Sequence, residues 1–383
     1  MKFSRLFKPK KEEDFLVLDF GKNSVKGIVY QPKGKEVIIK DFQTEKIDRF
    51  GVYDGKDFEL EIVKKAGSKV IEKLRVKNEI SEFRKILGFS PDIVKAKVFN
   101  ISFKREKIEE RIDEKEKEEI YRFIFKESEK QLFKEEKLRD IQILKRKILK
   151  EKISGYGVPS ILGFKGKNLD FKVLLVFLPK VHFNFVEFLK KELGLESAAI
   201  FHPVEGLVDF LDSRDKNPKI FLDIGAENTL VVFLKEELEF IDQFSIGGYD
   251  FTKEISKKLG LRENDAEVLK EDFSKKKLSF KIEKRVEEII LPILNLWEKS
   301  FEEKIKDKVK FFVFSGEVYL FGGGGLMPPI KKIITEKLKV EKVKFLLADD
   351  LPLRNKTKIS FSPQETSSLL LTLSKEIYEK KDY

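Results

Sequence analysis

Lys219-Ile-Phe-Leu-Asp-Ile-Gly-Ala-Glu-Asn-Thr-Leu-Val-Val-Phe233 is an apolar run, an Asp-x-Gly turn of small and polar residues, and a second apolar run. The same layout stands some two hundred positions earlier, in Asp14-Phe-Leu-Val-Leu-Asp-Phe-Gly-Lys-Asn-Ser-Val-Lys-Gly-Ile-Val-Tyr30. Each stretch reads as a β-hairpin. Asp19 and Gly21 hold the key places in the first, Asp223 and Gly225 in the second. Glycine lets such a turn tighten, the N–H groups around it can cradle phosphate, and an aspartate at the strand end can hold hydrated Mg²⁺. A single Asp-x-Gly turn is an ordinary hairpin. Two of the same layout, about 200 residues apart, form an internal repeat.

A third stretch completes the pattern: Leu320-Phe-Gly-Gly-Gly-Gly-Leu-Met-Pro-Pro-Ile330. It follows Val318-Tyr-Leu-Phe321, a short buried strand by composition, and precedes Lys331–Leu338, whose apolar spacing is helical. Gly322, Gly323, Gly324 and Gly325 let another molecule approach the backbone, and the helix N-terminus beyond them can face an anion. By itself such a junction is as readily a tight turn.

Composition narrows the chemistry. The 383 residues are 41% hydrophobic, enough for two or three domains with real cores. There are no cysteines, which excludes disulfides and thiolate chemistry, and only two histidines, His182 and His202. No apolar run approaches a membrane span and no signal peptide is visible, so a cytoplasmic protein is expected. Charged residues make up 38% and the net charge is +11. That balance suits anionic partners, although a lysine-rich solvated surface accounts for it as simply. No zinc knuckle or aromatic-interleaved basic motif points to nucleic acid. Met1 to Lys11 is a basic, partly apolar opening in which Pro9 leaves about two turns, too short for firm membrane binding.

Along the rest of the chain, Lys56 to Ile86 has helical spacing and Val94 to Phe103 reads as a strand. A charged helix follows from Asp113 to about Phe133, with Ile120, Phe123, Ile124 and Leu132 on its apolar face. Ile141–Ile153 and Leu169–Pro179 read as strands around a glycine-rich loop, and Val181–Leu193 as a helix. Residues 90–196 thus form a compact α+β insertion. Ala198–Phe210 runs from strand to helix. Gly247-Gly-Tyr-Asp-Phe-Thr252 enters another, and Glu267 and Lys270 share one face of the next. Lys281 to Lys306 is a long helical pattern interrupted near Pro292 and anchored by Trp297, and Lys310–Phe314 is expected as a buried strand. Ser362-Pro-Gln-Glu365 is a capping box opening a final helix, expected to reach Tyr378.

Together the three loops resemble the actin/chaperone/sugar-kinase ATPase superfamily. The resemblance implies an α/β actin-like ATPase fold: two related RNase H-like halves around a nucleotide cleft. Within that superfamily, the insertion is similar to the SHS2 (1C) subdomain that FtsA carries in place of 1B. Ile153-Ser-Gly-Tyr156, Gly163-Phe-Lys-Gly-Lys-Asn-Leu169, Gly247–Thr252 and Ala266-Glu-Val-Leu-Lys270 resemble FtsA. Asp223-Ile-Gly-Ala-Glu227, Val173–Lys180 and Arg5-Leu-Phe-Lys-Pro-Lys10 are at least as similar to PilM. The implied division is 1–89, 197–215 and 355–383 for subdomain 1A, 90–196 for the insertion, 216–248 and 309–354 for 2A, and 249–308 for 2B.

The resemblance also implies ATP and Mg²⁺, with Asp19 and Asp223 approaching the metal through water and serving the chemistry. Gly21, Lys22, Asn23 and Ser24, and Gly225, Ala226, Glu227, Asn228 and Thr229, would hold phosphates. Gly247, Gly248, Gly322 to Gly325 and Met327 would line the nucleotide, with Glu267 and Lys270 at the ribose. Two departures stand out. Lys22 replaces the usual Thr or Ser, and Phe201-His-Pro-Val-Glu205 places His202 where relatives carry an acid, leaving Glu205, one turn on, as the candidate base. At most a slow ATPase is expected. The implied role is that of an FtsA-like protein of cell division, forming protofilaments and linking an FtsZ C-terminal peptide, or another divisome protein, to the inner face of the membrane. The alternative is a PilM-like pilus component binding a PilN-type peptide. A scaffold without nucleotide and a sugar-kinase-like enzyme rank below both. FtsA chains continue into an amphipathic membrane helix. This sequence stops at Tyr383 without one, so membrane contact is expected through a partner or the basic N-terminus.

Overall fold

The computed structural model describes residues 13–47, 58–136, 140–210, 217–306, 314–340 and 342–375. The basic opening and most of the strand expected at Lys310–Phe314 lie outside them. The first hairpin is β1 (Phe15–Phe20) and β2 (Ser24–Lys33), followed by β3 (Glu36–Lys46), α1 (Phe58–Arg75) and β4 (Arg84–Phe89). β1 is buried along its whole length, as a central strand covered on both faces must be. It pairs antiparallel with β2 and parallel with β4.

The chain then leaves this half for β5 (Lys95–Lys104), α2 (Glu114–Glu136), β6 (Ile141–Ile153), β7 (Tyr156–Val158), β8 (Asn168–Pro179) and α3 (Phe183–Glu192). The four strands form a sheet of their own in the order β5-β8-β6-β7, so the loop after Ile153 contributes a short strand that composition did not announce. Asp113 caps α2 through the Glu116 N–H, and glutamates fill the helix's first turn. Ile120, Ile124 and Leu132 of α2 pack on Phe171, Val173, Leu175 and Phe177 of β8. Phe123, expected on that face, is 45% exposed and meets Phe103 edge to face. Leu174, Val176 and Leu178, on the other face of β8, join the main core, as do Val186 and Leu189 of α3.

After β9 (Ala199–Ile200) and α4 (Pro203–Phe210) the second half begins with β10 (Lys219–Ile224), β11 (Thr229–Lys235), β12 (Glu237–Phe244) and α5 (Gly248–Leu259). It continues through α6 (Glu263–Ser274), α7 (Phe280–Ile305), β13 (Glu317–Phe321), α8 (Pro328–Leu338) and β14 (Val343–Phe345). The chain closes with β15 (Leu353–Asn355) and α9 (Thr366–Leu371) back on the first half. Among the described residues, the first sheet runs β15-β3-β2-β1-β4-β9 and the second β12-β11-β10-β13-β14. The shared motif β3-β2-β1-β4 and β12-β11-β10-β13 is the repeat made visible: β10, like β1, pairs antiparallel with the next strand and parallel with a later one.

Strand alternation decides where the cores meet. Ile220, Leu222, Val231, Val318 and Leu320 face α5 to α8 in the second core. Phe221, Leu230, Val232 and Phe321 face the other way and join the first half's core. Two helical expectations change. α7 runs unbroken through Pro292, because Pro292 lies on the exposed side while Ile289, Ile290, Leu294 and Trp297 bury the opposite one. α9 ends at Leu371 rather than near Tyr378, which lies outside the described residues; the Thr372 hydroxyl donates to the Leu369 carbonyl and tightens the exit.

Candidate functional site

The two repeated turns are built alike. The Gly21 N–H donates to the Ser24 carbonyl at 3.1 Å, and the Gly225 N–H to the Asn228 carbonyl at 2.9 Å. Asp19 and Asp223 are each the last but one residue of their strands. The first turn of α9 brings the two acids together. Ser368 donates its hydroxyl to Asp19 at 2.5 Å, and the adjacent Ser367 donates to Asp223. Burial pushes the Asp223 carboxyl up to about 6; the Ser367 hydroxyl and the Lys26 charge oppose that rise and the Asp19 charge adds to it. Asp223 is therefore a desolvated acid beside a second carboxylate.

The glycine run closes against the second turn. A Cβ on Gly322, whose φ is 77°, would stand 2.4 Å from Asp223 Oδ1, and one on Gly324 would stand 2.5 Å from Ile224 Cγ2. Both glycines are therefore required by protein packing, before any ligand is considered. Gly323 is the open member, where a Cβ would meet only Gln364 among the described residues, at 4.0 Å, and a Cβ on Gly325 would meet Leu320 at ordinary contact distance. The start of α5 docks on the same turn: Gly248 N–H donates to Gly225 O at 2.9 Å and Tyr249 N–H to Ala226 O at 2.7 Å. Asp250 accepts from the Gly247 N–H.

Lys270 is more than half of an exposed ion pair. Its ammonium is buried and donates to Gly248 O at 2.9 Å, Thr252 Oγ1 at 2.9 Å and Glu267 Oε2 at 2.7 Å. Burial lowers its pKa, and the Glu267 charge opposes the shift. Glu267 keeps part of its carboxylate in the open, so the pair braces α5 against α6 with one acid still accessible.

Three expected site residues are placed otherwise. Thr229 is fully buried; its hydroxyl donates to Ile246 O and accepts from the Trp297 indole N–H at 3.0 Å, so it holds a core aromatic and not a ligand. Met327 is 1% exposed and packs in the second core, its sulfur accepting from Ser274 at 3.2 Å. Glu205 is committed twice over: it accepts the His202 backbone N–H at 2.8 Å, capping α4, and pairs with Lys145 of β6 at 2.8 Å. A carboxylate so engaged is not poised to take a proton from water. His202 is buried and neutral, its pKa pushed down to about 3 by desolvation, and its Nδ1 accepts from the Val204 N–H.

Cations line the gap. Lys22 stands 3.0 Å from Asp92 Oδ2 and 3.6 Å from Glu227 Oε2, joining the first turn to the second. Lys26 donates to Gln364 O at 2.6 Å, and Lys46 reaches Glu271 of α6 at 3.4 Å. Asn23 O accepts from the Ile47 N–H, tying the first turn to the end of β3. No group of three or more acidic, histidine or cysteine side chains gathers as a metal cage among the described residues. A pair of carboxylates bridged by neighbouring serines fits a hydrated divalent cation met through water, and the desolvation at Asp223, only partly offset by Ser367 and Lys26, is what such a charge would relieve.

No protein-family model and no curated protein matches the sequence. Solved structures do. The chain is similar to the PilM–PilN type IV pilus biogenesis complex, at 19% identity over 95% of this chain and 98% of that one, with a TM-score of 0.66. It is also similar to MreB 5 of Spiroplasma citri bound to AMPPNP, at 11% identity over 96% and 99%, with a TM-score of 0.50. The fold is that of the actin-like ATPases. In actin-like terms the two acid turns face each other from related halves, and the glycine run and the start of α5 wall off one end of the gap. Sequence reasoning missed Ser367, Ser368, Lys26 and Asp92. The only local sign was the polar Ser-Ser pair at the head of an otherwise leucine-rich helix.

Proposed function

We propose that the protein is a nucleotide-binding adaptor of the PilM type, which holds ATP with Mg²⁺ between the two acid turns and captures a short PilN-type peptide from the cytoplasmic tail of a membrane protein. The observation that carries this reading is the match to PilM over nearly the full length of both chains. In this assignment Asp19 and Asp223 hold the hydrated metal. Backbone amides at Lys22 to Ser24 and at Ala226 to Asn228 take the phosphates. Gly323 lines the base, and the open side of Glu267 meets the ribose. Bound Mg²⁺ would supply the positive charge that lets two acids and a phosphate tail share one cleft. Binding without fast turnover is assigned, because Glu205 is spent on Lys145 and the helix cap and His202 is neutral and buried.

No described helix is long and apolar enough to cross a membrane, so the assigned place at the inner face of the membrane rests on the captured peptide. An FtsA-like role in cell division, with self-association into protofilaments and an FtsZ tail as partner, is the second reading; the four local strings from Ile153 to Lys270 support it.

Thermal unfolding with and without ATP–Mg²⁺ tests the nucleotide assignment. A ligand at about a hundred times its Kd stabilises by roughly 2.7 kcal/mol, and that shift should vanish in Asp223→Ala. No shift in the unmutated protein would sink the assignment. Retention on an immobilised PilN-type N-terminal peptide, and not on an FtsZ tail peptide, is the expected partner result; the reverse selects the division role.

A further inference from the structure

The ion pair that joins the two turns is set up unevenly. Lys22 belongs to the first turn and lies 3.0 Å from Asp92, which follows β4 in the same half. Asp92 is itself anchored: Ser90 donates its hydroxyl to it at 2.6 Å, and the Ser90 N–H donates to Phe20 O at 3.2 Å. Asp92 and Lys22 therefore move together as part of the first half. Glu227 belongs to the second turn, and at 3.6 Å its contact with Lys22 is outside hydrogen-bond range, a looser coulombic arm. The Lys22 side chain is only 17% exposed, so that arm is less screened than another pair across the gap, Lys46–Glu271, where Lys46 is 78% exposed.

From this geometry we infer that the Lys22–Glu227 pair is a latch between the halves that a nucleotide's phosphate tail opens by replacing Glu227 as the partner of Lys22. The inference rests on the nucleotide reading above and adds the residue pair that regulates that site. A polyphosphate arriving between the turns brings several negative charges next to the Glu227 carboxylate and offers Lys22 charge-assisted hydrogen bonds at closer range than Glu227 does. Asp92 keeps the ammonium in place during the exchange. The latch makes Glu227 a competitor of the ligand although its backbone amide lies in the turn that would hold it. The carboxylate and the amide of one residue then act in opposite senses, which gives the idea a signature.

The measurement is the affinity of the full chain for ATP–Mg²⁺, ADP–Mg²⁺ and AMP by calorimetric titration. Glu227→Gln, which keeps shape and backbone, should bind ATP–Mg²⁺ about fivefold more tightly than the unmutated protein, with AMP changed by less than about twofold. Lys22→Gln should bind ATP–Mg²⁺ about tenfold more weakly. In the double variant the gain from Glu227→Gln should disappear, because no ammonium remains to be contested. An unchanged or weakened affinity in Glu227→Gln overturns the latch. So does a gain that persists in full without Lys22, which would be plain repulsion between Glu227 and phosphate. Absence of ATP binding in both the unmutated protein and Glu227→Gln overturns the nucleotide reading instead.

Discussion

The carboxyl of Asp223 is desolvated, and that sets a pH dependence with a definite sign. A carboxyl raised from 3.8 to about 6 by folding stabilises the folded state fully below its unfolded value, and the contribution is lost as pH rises through about 6. His202 works the other way: lowered from 6.5 to about 3, it supports the fold above 6.5 and withdraws that support as pH falls toward 3. Asp223→Asn removes the half-buried charge and keeps an acceptor for Ser367. It should raise stability at pH 8 by about 2 kcal/mol and by nothing measurable at pH 4, read by thermal unfolding at the two pH values. An equal gain at both would place its cause outside the ionisation. The aspartates were legible because an Asp-x-Gly turn between two apolar runs is a local pattern. Their serine partners were not, since those bonds join residues 349 and 144 positions apart and depend on where α9 lands.

Elements follow local pattern until packing overrules it. The strand read at Ile141–Ile153 has the bounds of β6, although bulges between Ile143 and Lys145 and between Ile148 and Lys150 interrupt its alternation, and the capping box at Ser362 forms as written. Pro292 was read as a break because its missing N–H disrupts an isolated helix. The apolar side of α7 supplies enough packing to carry the helix through, and no local signal reports that. α4 shows the same dependence on distant partners. Its cap, Glu205, is 1% exposed, and the charge it buries is met by Lys145 on β6, whose ammonium also lies over the Phe201 ring. Lys145→Met takes this cation away from the buried carboxylate and should cost about 3 kcal/mol in chemical denaturation. Adding Glu205→Gln should recover most of the loss, since an amide still accepts the His202 N–H and carries no charge. A loss that the second substitution does not restore would assign the effect to lost packing around the lysine stem.

At the scale of the molecule, the repeat foretold two related sheets, but it did not foretell that they share a core. Phe221, Leu230 and Val232 of the second sheet and Leu174, Val176 and Leu178 of the inserted sheet belong to the same apolar cluster as β1 and α1. The inserted sheet is also wired to both halves. Lys145 and Lys147 of β6 pair with Glu205 and Asp209 of α4, while Lys150 of β6 and Lys172 of β8 pair with Glu237 of β12. A segment placed this way behaves as a structural wall rather than an appended domain. β5 and β8 are antiparallel with Lys95 opposite Phe177, so a short Gly-Ser linker from Val94 to Lys180 can close the gap left by removing the sheet. Its removal strips one side of the main core and takes the β6 lysines from the buried Glu205 and the half-buried Asp209 of α4. The shortened chain should therefore be aggregation-prone or expanded, with near-ultraviolet circular dichroism lost and an apolar dye bound. A soluble monomer that unfolds in one sharp transition would show instead that the two halves bury each other unaided, and that the lysine contacts of β6 only decorate a fold already complete.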